Sequence, residues 1–386
     1  MATTGKGGLA AALACGLVGL VVSGCGGGTV AAAPGGTAHP VPPKAGIGWR
    51  RLCPEANSPA LRNALAATLP LSLTATIVPY GASNTSVYAS DYSASFSGVA
   101  ALNPASGALT RIQPYPHPSQ DQSDGAADGR FLVWKLIYSS SIMDDFDVYS
   151  YDAQTGKIRQ IGRPVPGPGG QAWPGPWLPP VISGHYAAWT RGSGPGGQAE
   201  VLLANLLTGR TTVIRRGHPD APFFDGDLVV WPESDRPGTP TTMHAVSAVT
   251  GSPAPLPSVL TAVRGVWDIV SDGTRTAYVS PANTQLYYSP AQDQPARVVL
   301  SLPNPQTFSD VQIAPGALVW TTNQATYLAS TTTGGYAQVT PVFGGSAVGG
   351  PYAIIGDYGG KKMRPILPAH VIDLRRSTLM PPPPGC

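Results

Sequence analysis

The stretch "VYSYDAQTGKIRQI" (residues 148–161) decides how the chain is read. Alternating bulky residues run into a turn at Asp152, whose carboxylate can cap it, and Gly156 supplies the positive φ that closes a hairpin. The same phrase recurs as "VAALNPASGALTRI" (99–112), "VLLANLLTGRTTVI" (201–214), "MHAVSAVTGSPAPL" (243–256) and "YLASTTTGGYAQVT" (327–340). The turn glycines stand at 107, 156, 209, 251 and 334, at intervals of 49, 53, 42 and 83 residues. The last interval is about twice 42, leaving room for a unit whose turn has lost its glycine, "LYYSPAQDQPARVVL" (286–300).

Between these phrases lies another. "GRFLVW" (129–134), "GHYAAW" (184–189), "GDLVVW" (226–231), "GTRTAY" (273–278) and "GALVW" (316–320) each read as a strand entered from a tight turn and ending on an aromatic residue. Strand, strand, hairpin, strand at a period near 42–50 is what a four-stranded blade requires, so the chain is expected to be all-β, a β-propeller. "YAIIGDY" (352–358) and "AHVIDLRRSTLM" (369–380) complete a last unit. Starting the first unit near Leu71 gives seven blades; six is the alternative, because the terminal units are the least regular.

Composition agrees. The 386 residues are 42% hydrophobic and only 12% charged, with 47 glycines and 42 prolines, which suits short strands and turns and disfavours long surface helices. Only three glutamates occur, Glu55, Glu200 and Glu233. A net charge of +3 with no basic block longer than a pair excludes an electrostatic footprint for nucleic acid.

The N-terminus reads as a targeting segment. Lys6 precedes an apolar run from Leu9 to Val22, too short for a comfortable span and right for the core of a signal peptide. Val22-Ser23-Gly24-Cys25 then resembles the bacterial lipobox. That resemblance implies a diacylglyceryl, palmitate-type modification on Cys25, cleavage before it, and lipid anchoring of the mature chain, two acyl chains sufficing for stable attachment. The alternative is a plain secretory signal. Residues 1–24 are thus read as the leader, 25–48 as a Gly/Ala/Pro-rich tether, 49–70 as a segment with one short helix, and 71–386 as the propeller with a closing arm. The helix is expected over "NSPALRNALAATLP" (57–70), capped by Asn57 or Ser58 and ended by Pro70.

Cys15 leaves with the leader and lipid consumes Cys25, so Cys53 and Cys386 remain. In an oxidising compartment these two are expected to form a disulfide that latches the ring's seam, with "PPPP" as a stiff arm before Cys386; two free thiols are the alternative.

At the level of its blade phrases, the chain resembles the extracytoplasmic propellers called TolB-like or WD40-like. "YDAQTGKIRQI" is also similar to the quinoprotein-type repeat, but Ser150 replaces its alanine and Gln160 its docking tryptophan. That departure argues against a quinone-binding dehydrogenase, and no cofactor is expected.

Candidate chemistry is sparse. Asp144, Asp145 and Asp147 lack the order of a calcium loop. "GSGPGG" (192–197) opens no helix and reads as a spacer, and no histidine pair has zinc-hydrolase spacing. Trp134, Trp189, Trp231 and Trp320 share one repeat position and are expected in the blade core. Trp173 and Trp177 fall outside the repeat, in an insertion, as candidate ligand or partner contacts. His218 and Asp220 lie in "RRGHPDAPFFDGD", where a histidine beside aspartates could bind or exchange protons. No catalytic residue and no metal ligand is assigned.

The expectation is a monomeric, lipid-anchored, extracytoplasmic β-propeller that binds or scaffolds an envelope protein, without catalysis of its own. An envelope glycan hydrolase or lyase using the central funnel, or a ligand-sensing accessory protein, is the alternative.

Overall fold

The computed structural model describes residues 51–54, 76–117, 121–138, 145–167, 170, 172–192, 198–235, 241–266, 268–340, 346–357 and 367–375. The leader, Cys25, the tether, the helix expected over 57–70, Asp144 and Cys386 lie outside the described residues.

Seven sheets follow one another along the chain. A short strand, β1 (Cys53–Pro54), precedes them. Blade 1 is β2 (Ile77–Ala82), β3 (Val87–Ser93), β4 (Phe96–Leu102) and β5 (Leu109–Pro114). Blade 2 is β6 (Gln122–Asp128), β7 (Phe131–Ile137), β8 (Phe146–Asp152) and β9 (Lys157–Gly162). Blade 3 is β10 (Val181–Ser183), β11 (Tyr186–Gly192), β12 (Ala199–Asn205) and β13 (Arg210–Gly217). Blade 4 has β14 (Phe223–Asp225), β15 (Leu228–Glu233) and β16 (Thr242–Ser247), followed by a helical turn, α1 (Ser258–Thr261). Blade 5 is β17 (Ile269–Ser271), β18 (Thr276–Val279), β19 (Gln285–Ser289) and β20 (Arg297–Ser301). Blade 6 is β21 (Phe308–Ala314), β22 (Ala317–Thr322), β23 (Thr326–Ser330) and β24 (Gly335–Thr340). Blade 7 is β25 (Ser346–Gly349), β26 (Tyr352–Asp357) and β27 (Leu367–Asp373).

All pairings within blades are antiparallel between consecutive strands, and each blade's first strand packs beside the first strands of its neighbours; β25 against β2 closes a ring of seven. The expected seven-bladed propeller is what the chain forms.

The repeat chemistry explains the blades. The five hairpin glycines, 107, 156, 209, 251 and 334, all have φ between 69° and 77°, where a side chain would be strained. The unit without a glycine holds its turn differently: the Ser289 hydroxyl reaches the carbonyls of Ala291 (2.7 Å) and Gln294 (2.8 Å). The shared tryptophan position is the blade core, with Trp134, Trp189, Trp231 and Trp320 at most 3% exposed. Three of them stack on the ring directly across the sheet: Trp134 on Tyr149 (centroids 5.5 Å), Trp231 on His244 (6.1 Å) and Trp320 on Tyr327 (5.4 Å). Blade 5 has Tyr278 on Tyr287 there (4.8 Å). Trp189 faces Leu202 instead and lies over Gly162 of blade 2, where a Cβ would approach its ring to 2.9 Å. These cross-strand pairs are the sheet's own stabilising unit.

Neighbouring blades are joined by polar bonds at the end of the inner strands. Asp128 accepts the Gly184 N–H (2.6 Å), Asp225 accepts the Ser271 hydroxyl (2.5 Å), and Arg275 donates to the Ala314 carbonyl (3.2 Å). Nearer the opposite end, Asp310 accepts the Ser346 hydroxyl (2.6 Å). The Asp225-Gly226-Asp227 stretch is thus a turn and an inter-blade bond.

Two regions depart from the repeat. After Gly251 the phrase "SPAPLP" cannot continue a ladder, because Pro253, Pro255 and Pro257 have no N–H to donate. One bridge, Val246 to Pro253, is made; then α1 covers the edge of blade 4, burying Val259 and Leu260 against Met243 and Ala245. The other departure is at the N-terminus. β1 pairs parallel with β24, Cys53 opposite Gly335, and Leu52 is packed among residues of blades 5 and 6. Cys53 is therefore on the outer edge of blade 6 and not at the junction of blades 7 and 1, where the sequence reading put the latch. That junction is closed by packing: Ala82, Val87 and Leu102 of the first blade region meet Tyr352, Ile354 and Val371 of the last.

Burial pushes Asp124 and Asp128 up to about 6; for Asp124, Lys135 opposes the shift only in part. Burial also raises Asp310 and, with the Asp310 charge beside it, Asp268. Unfolded aspartate titrates near 3.9, so between about pH 4 and 6 the folded state holds more protons and stability falls as pH rises. Glu200 and Glu233 are shifted the other way and lose stability at more acidic pH. The melting temperature is expected to rise from pH 8 to a maximum near pH 5 and to drop below pH 4, as scanning calorimetry would record. A melting temperature independent of pH between 8 and 5 would refute the shifts.

Candidate functional site

Strand direction alternates within each blade, so the turns between first and second and between third and fourth strands gather on one face. That face is made of tight turns, most with glycine at positive φ. The other face carries the loops between second and third strands and the connections from blade to blade. A long connection on this face, residues 163–180 between β9 and β10, contains Trp173 and Trp177.

This insertion is held by specific contacts. Pro166 bridges to Ala172, and the Trp173 N–H donates to the Val165 carbonyl (3.0 Å). Trp173 packs on Gly167 so closely that a Cβ there would come within 1.7 Å of its ring; only glycine fits. Gly192 of blade 3 donates to Pro174 (3.1 Å). The main anchor is Lys135, 5% exposed, whose ammonium donates to the carbonyls of Pro176 (3.1 Å) and Trp177 (3.0 Å) and lies 3.8 Å from the Asp124 carboxylate. Burial lowers the Lys135 pKa, and the neighbouring Asp124 charge raises it back in part.

The structure brings the four sequence-predicted contact residues together in pairs. Trp173 and His218 line a cavity of about 430 Å³ with Gln198, Glu200 and Arg216. Trp177 and Asp220 line a smaller one of about 120 Å³, walled by Pro179, Pro219 and Pro222. Ala199, the first residue of β12, belongs to both cavities. Trp177 is 40% exposed at the lip. His218 Nδ1 is buried and without a hydrogen-bond partner among the described residues. Asp220 is fixed by its backbone: its N–H donates to Pro232 (2.8 Å), its carboxylate accepts the Ala221 N–H (2.8 Å), and burial raises its pKa.

Sequence reading missed the charged part of the wall. Glu200 accepts from Arg191 (2.9 and 2.7 Å, through Nε and Nη2) and from Arg216 (2.7 Å, through Nε). Burial alone would raise its pKa, but the two guanidinium groups outweigh burial and hold it below the usual carboxylate range. Glu233 is likewise held by Arg215 and by the Trp231 indole (3.0 Å). The scarcity of glutamate was the available signal: both described glutamates are partnered by arginine.

Of the aspartates near the start of β8, Asp147 is engaged within its own blade. Asp147 accepts from the hydroxyls of Tyr138 and Tyr149 and from Gln160, which explains why glutamine stands where the quinoprotein-type repeat has tryptophan. Among the described residues no group of three or more His, Cys, Asp or Glu is placed to hold a metal ion.

No family model matches the chain, and no curated protein matches it. Solved structures do. The chain is similar to a prolyl endopeptidase studied for inter-domain dynamics in catalysis and specificity (16% identity, 84% of this chain, 50% of that one, TM-score 0.51). It is similar to an oligogalacturonate lyase from Vibrio parahaemolyticus (10% identity, 78% of this chain, 91% of that one, TM-score 0.53). TolB from Acinetobacter baumannii matches over 61% of this chain and 57% of its own, at 13% identity and TM-score 0.36. What the chain shares with the peptidase and the lyase is the fold. The chain spans half the length of the peptidase it matches.

Proposed function

We propose that the protein is a lipid-anchored, extracytoplasmic binding module that holds an envelope partner on the face carrying the 163–180 insertion. One observation carries this reading: an aromatic-bearing loop, pinned by a buried lysine, overhangs two adjoining cavities on one face of the ring. A surface that is rigid before it meets its partner loses less ordering entropy on binding. The lipobox-like Val22–Cys25 supports the anchor. A Cys53–Cys386 disulfide would tie the edge of blade 6 to the arm after blade 7, and closing so long a loop contributes up to about 5 kcal/mol in the chain-entropy model.

The alternative, a glycan hydrolase or lyase acting in the central funnel, calls for carboxylates open to the axis. Asp124 and Asp310, on inner strands, are 3% and 2% exposed and are engaged by Lys135 and by Ser346 and Gln312. That placement favours binding over funnel chemistry.

Cross-linked envelopes carrying the tagged full chain are expected to yield a discrete partner, recovered several-fold less with Trp177→Ala. An empty bait, or a partner indifferent to Trp177, would defeat the proposal. In the same cells, Cys25→Ser is expected to leave the membrane fraction, and the mature wild-type chain to show no titratable thiol under denaturing, non-reducing conditions. Retention in the membrane refutes the anchor; two free thiols refute the disulfide.

A further inference from the structure

We infer that the larger cavity, walled by Trp173, Gln198, Glu200, Arg216 and His218, binds an acidic saccharide, a sugar ring carrying a carboxylate. The inference rests on the reading that this face is the binding face, and it gives one part of that face its ligand.

The charge count points to an anion. Arg191 and Arg216 converge on the single carboxylate of Glu200, so the cluster keeps one net positive charge. Arg191 is spent: both its Nε and its Nη2 donate to Glu200, and its side chain is 12% exposed. Arg216 is not. It gives only Nε to Glu200, its side chain is 75% exposed, and neither Nη has a partner among the described residues. Glu200 thus aims the guanidinium, leaving the pair of Nη donors at the cavity lip, the geometry that pairs best with a second carboxylate.

The rest of the wall points to a sugar. Trp173 is an apolar plate with Gly167 packed against it, suited to the C–H face of a pyranose ring. Gln198 can both donate to and accept from ring hydroxyls. His218 Nδ1 is buried and unpartnered, and a polar atom left so inside a wall costs stability until something bonds to it. About 430 Å³ is room for one or two sugar rings. A bare anion would leave Trp173 unused, and a neutral sugar would leave Arg216 unpaired.

Titration calorimetry on the purified full chain tests this with three probes: a glucuronate-containing oligosaccharide, the same oligosaccharide with its carboxylates reduced to alcohols, and inorganic phosphate. The acidic oligosaccharide is expected to bind, and the reduced one to bind at least about tenfold more weakly, as loss of a charge-assisted pair implies. Arg216→Ala is expected to cost a similar factor, Arg216→Lys less, and Trp173→Ala at least tenfold, while Trp177→Ala changes nothing. Arg216 is exposed, so its variants report on the site and not on folding. Equal binding of the acidic and reduced oligosaccharides, phosphate binding as tight as the oligosaccharide's, no binding of any probe at millimolar concentration, or indifference to Arg216→Ala would each overturn the inference. Because partner capture is read through Trp177 and saccharide binding through Arg216, one can fail while the other stands.

Discussion

Replacing Lys135 with alanine is expected to lower stability by about 3–5 kcal/mol and to loosen the 163–180 insertion. The ammonium is buried, faces the buried Asp124 carboxylate at 3.8 Å, and donates to the carbonyls of Pro176 and Trp177. Alanine removes all three interactions. The carboxylate is left uncompensated, two carbonyls lose a donor, and the space of the lysine stem is emptied. Asp124 then takes up a proton more readily, so the loss is expected to be larger at pH 8 than at pH 5. Urea unfolding at the two pH values measures this, and limited proteolysis shows whether residues 163–180 become a cleavage site. The double variant Lys135→Met with Asp124→Asn is expected to recover part of the stability, because no charge remains buried, but not the resistance to proteolysis, because no donor holds the loop. A single variant as stable as wild type would mean that the pair contributes nothing.

Trp320→Ala is the other large effect, about 3–5 kcal/mol from lost burial and the cavity left behind. The indole is fully buried, stacked on Tyr327 and in edge contact with Tyr336 at 5.3 Å. Tyr336 lies on β24, the strand that β1 pairs with, so the cavity opens beneath the attachment of the N-terminal segment. Trp320→Phe is expected to cost clearly less. Trp177→Ala is the control: its ring is partly exposed, its anchoring is through the backbone carbonyl, and the change is expected to stay within about 0.5 kcal/mol. Equal losses at Trp320 and Trp177 would remove the distinction between blade core and binding lip.

These two sites also show what can be read from a linear chain. Trp320 was legible because it recurs with Trp134, Trp189 and Trp231 at one position of a repeat, and a repeat means one environment reused. Lys135 was not, although it is one residue away from Trp134. Its partners are on β6 and in a connection about 40 residues later, and nothing local announces them. Glu200 was similar. Its rarity could be counted, but that two arginines converge on it, one only nine residues distant across a loop and one on the next strand, is a matter of register.

Blade number, the turns and the core aromatics therefore follow from residue order, because each depends on contacts within one period of the repeat: hairpin glycines at positive φ, alternation across a sheet, an aromatic rung. The ends and the site depend on contacts between periods. β1 lies on blade 6 because Leu52 finds a place among residues of blades 5 and 6, a fit the seam argument could not foresee. Trp173 shares a cavity with His218, and Trp177 with Asp220, because the ring sets a long connection after blade 2 beside a short one after blade 3. Local chemistry wrote the blades; closing them into a circle, which brings distant loops within a few ångströms, made the site.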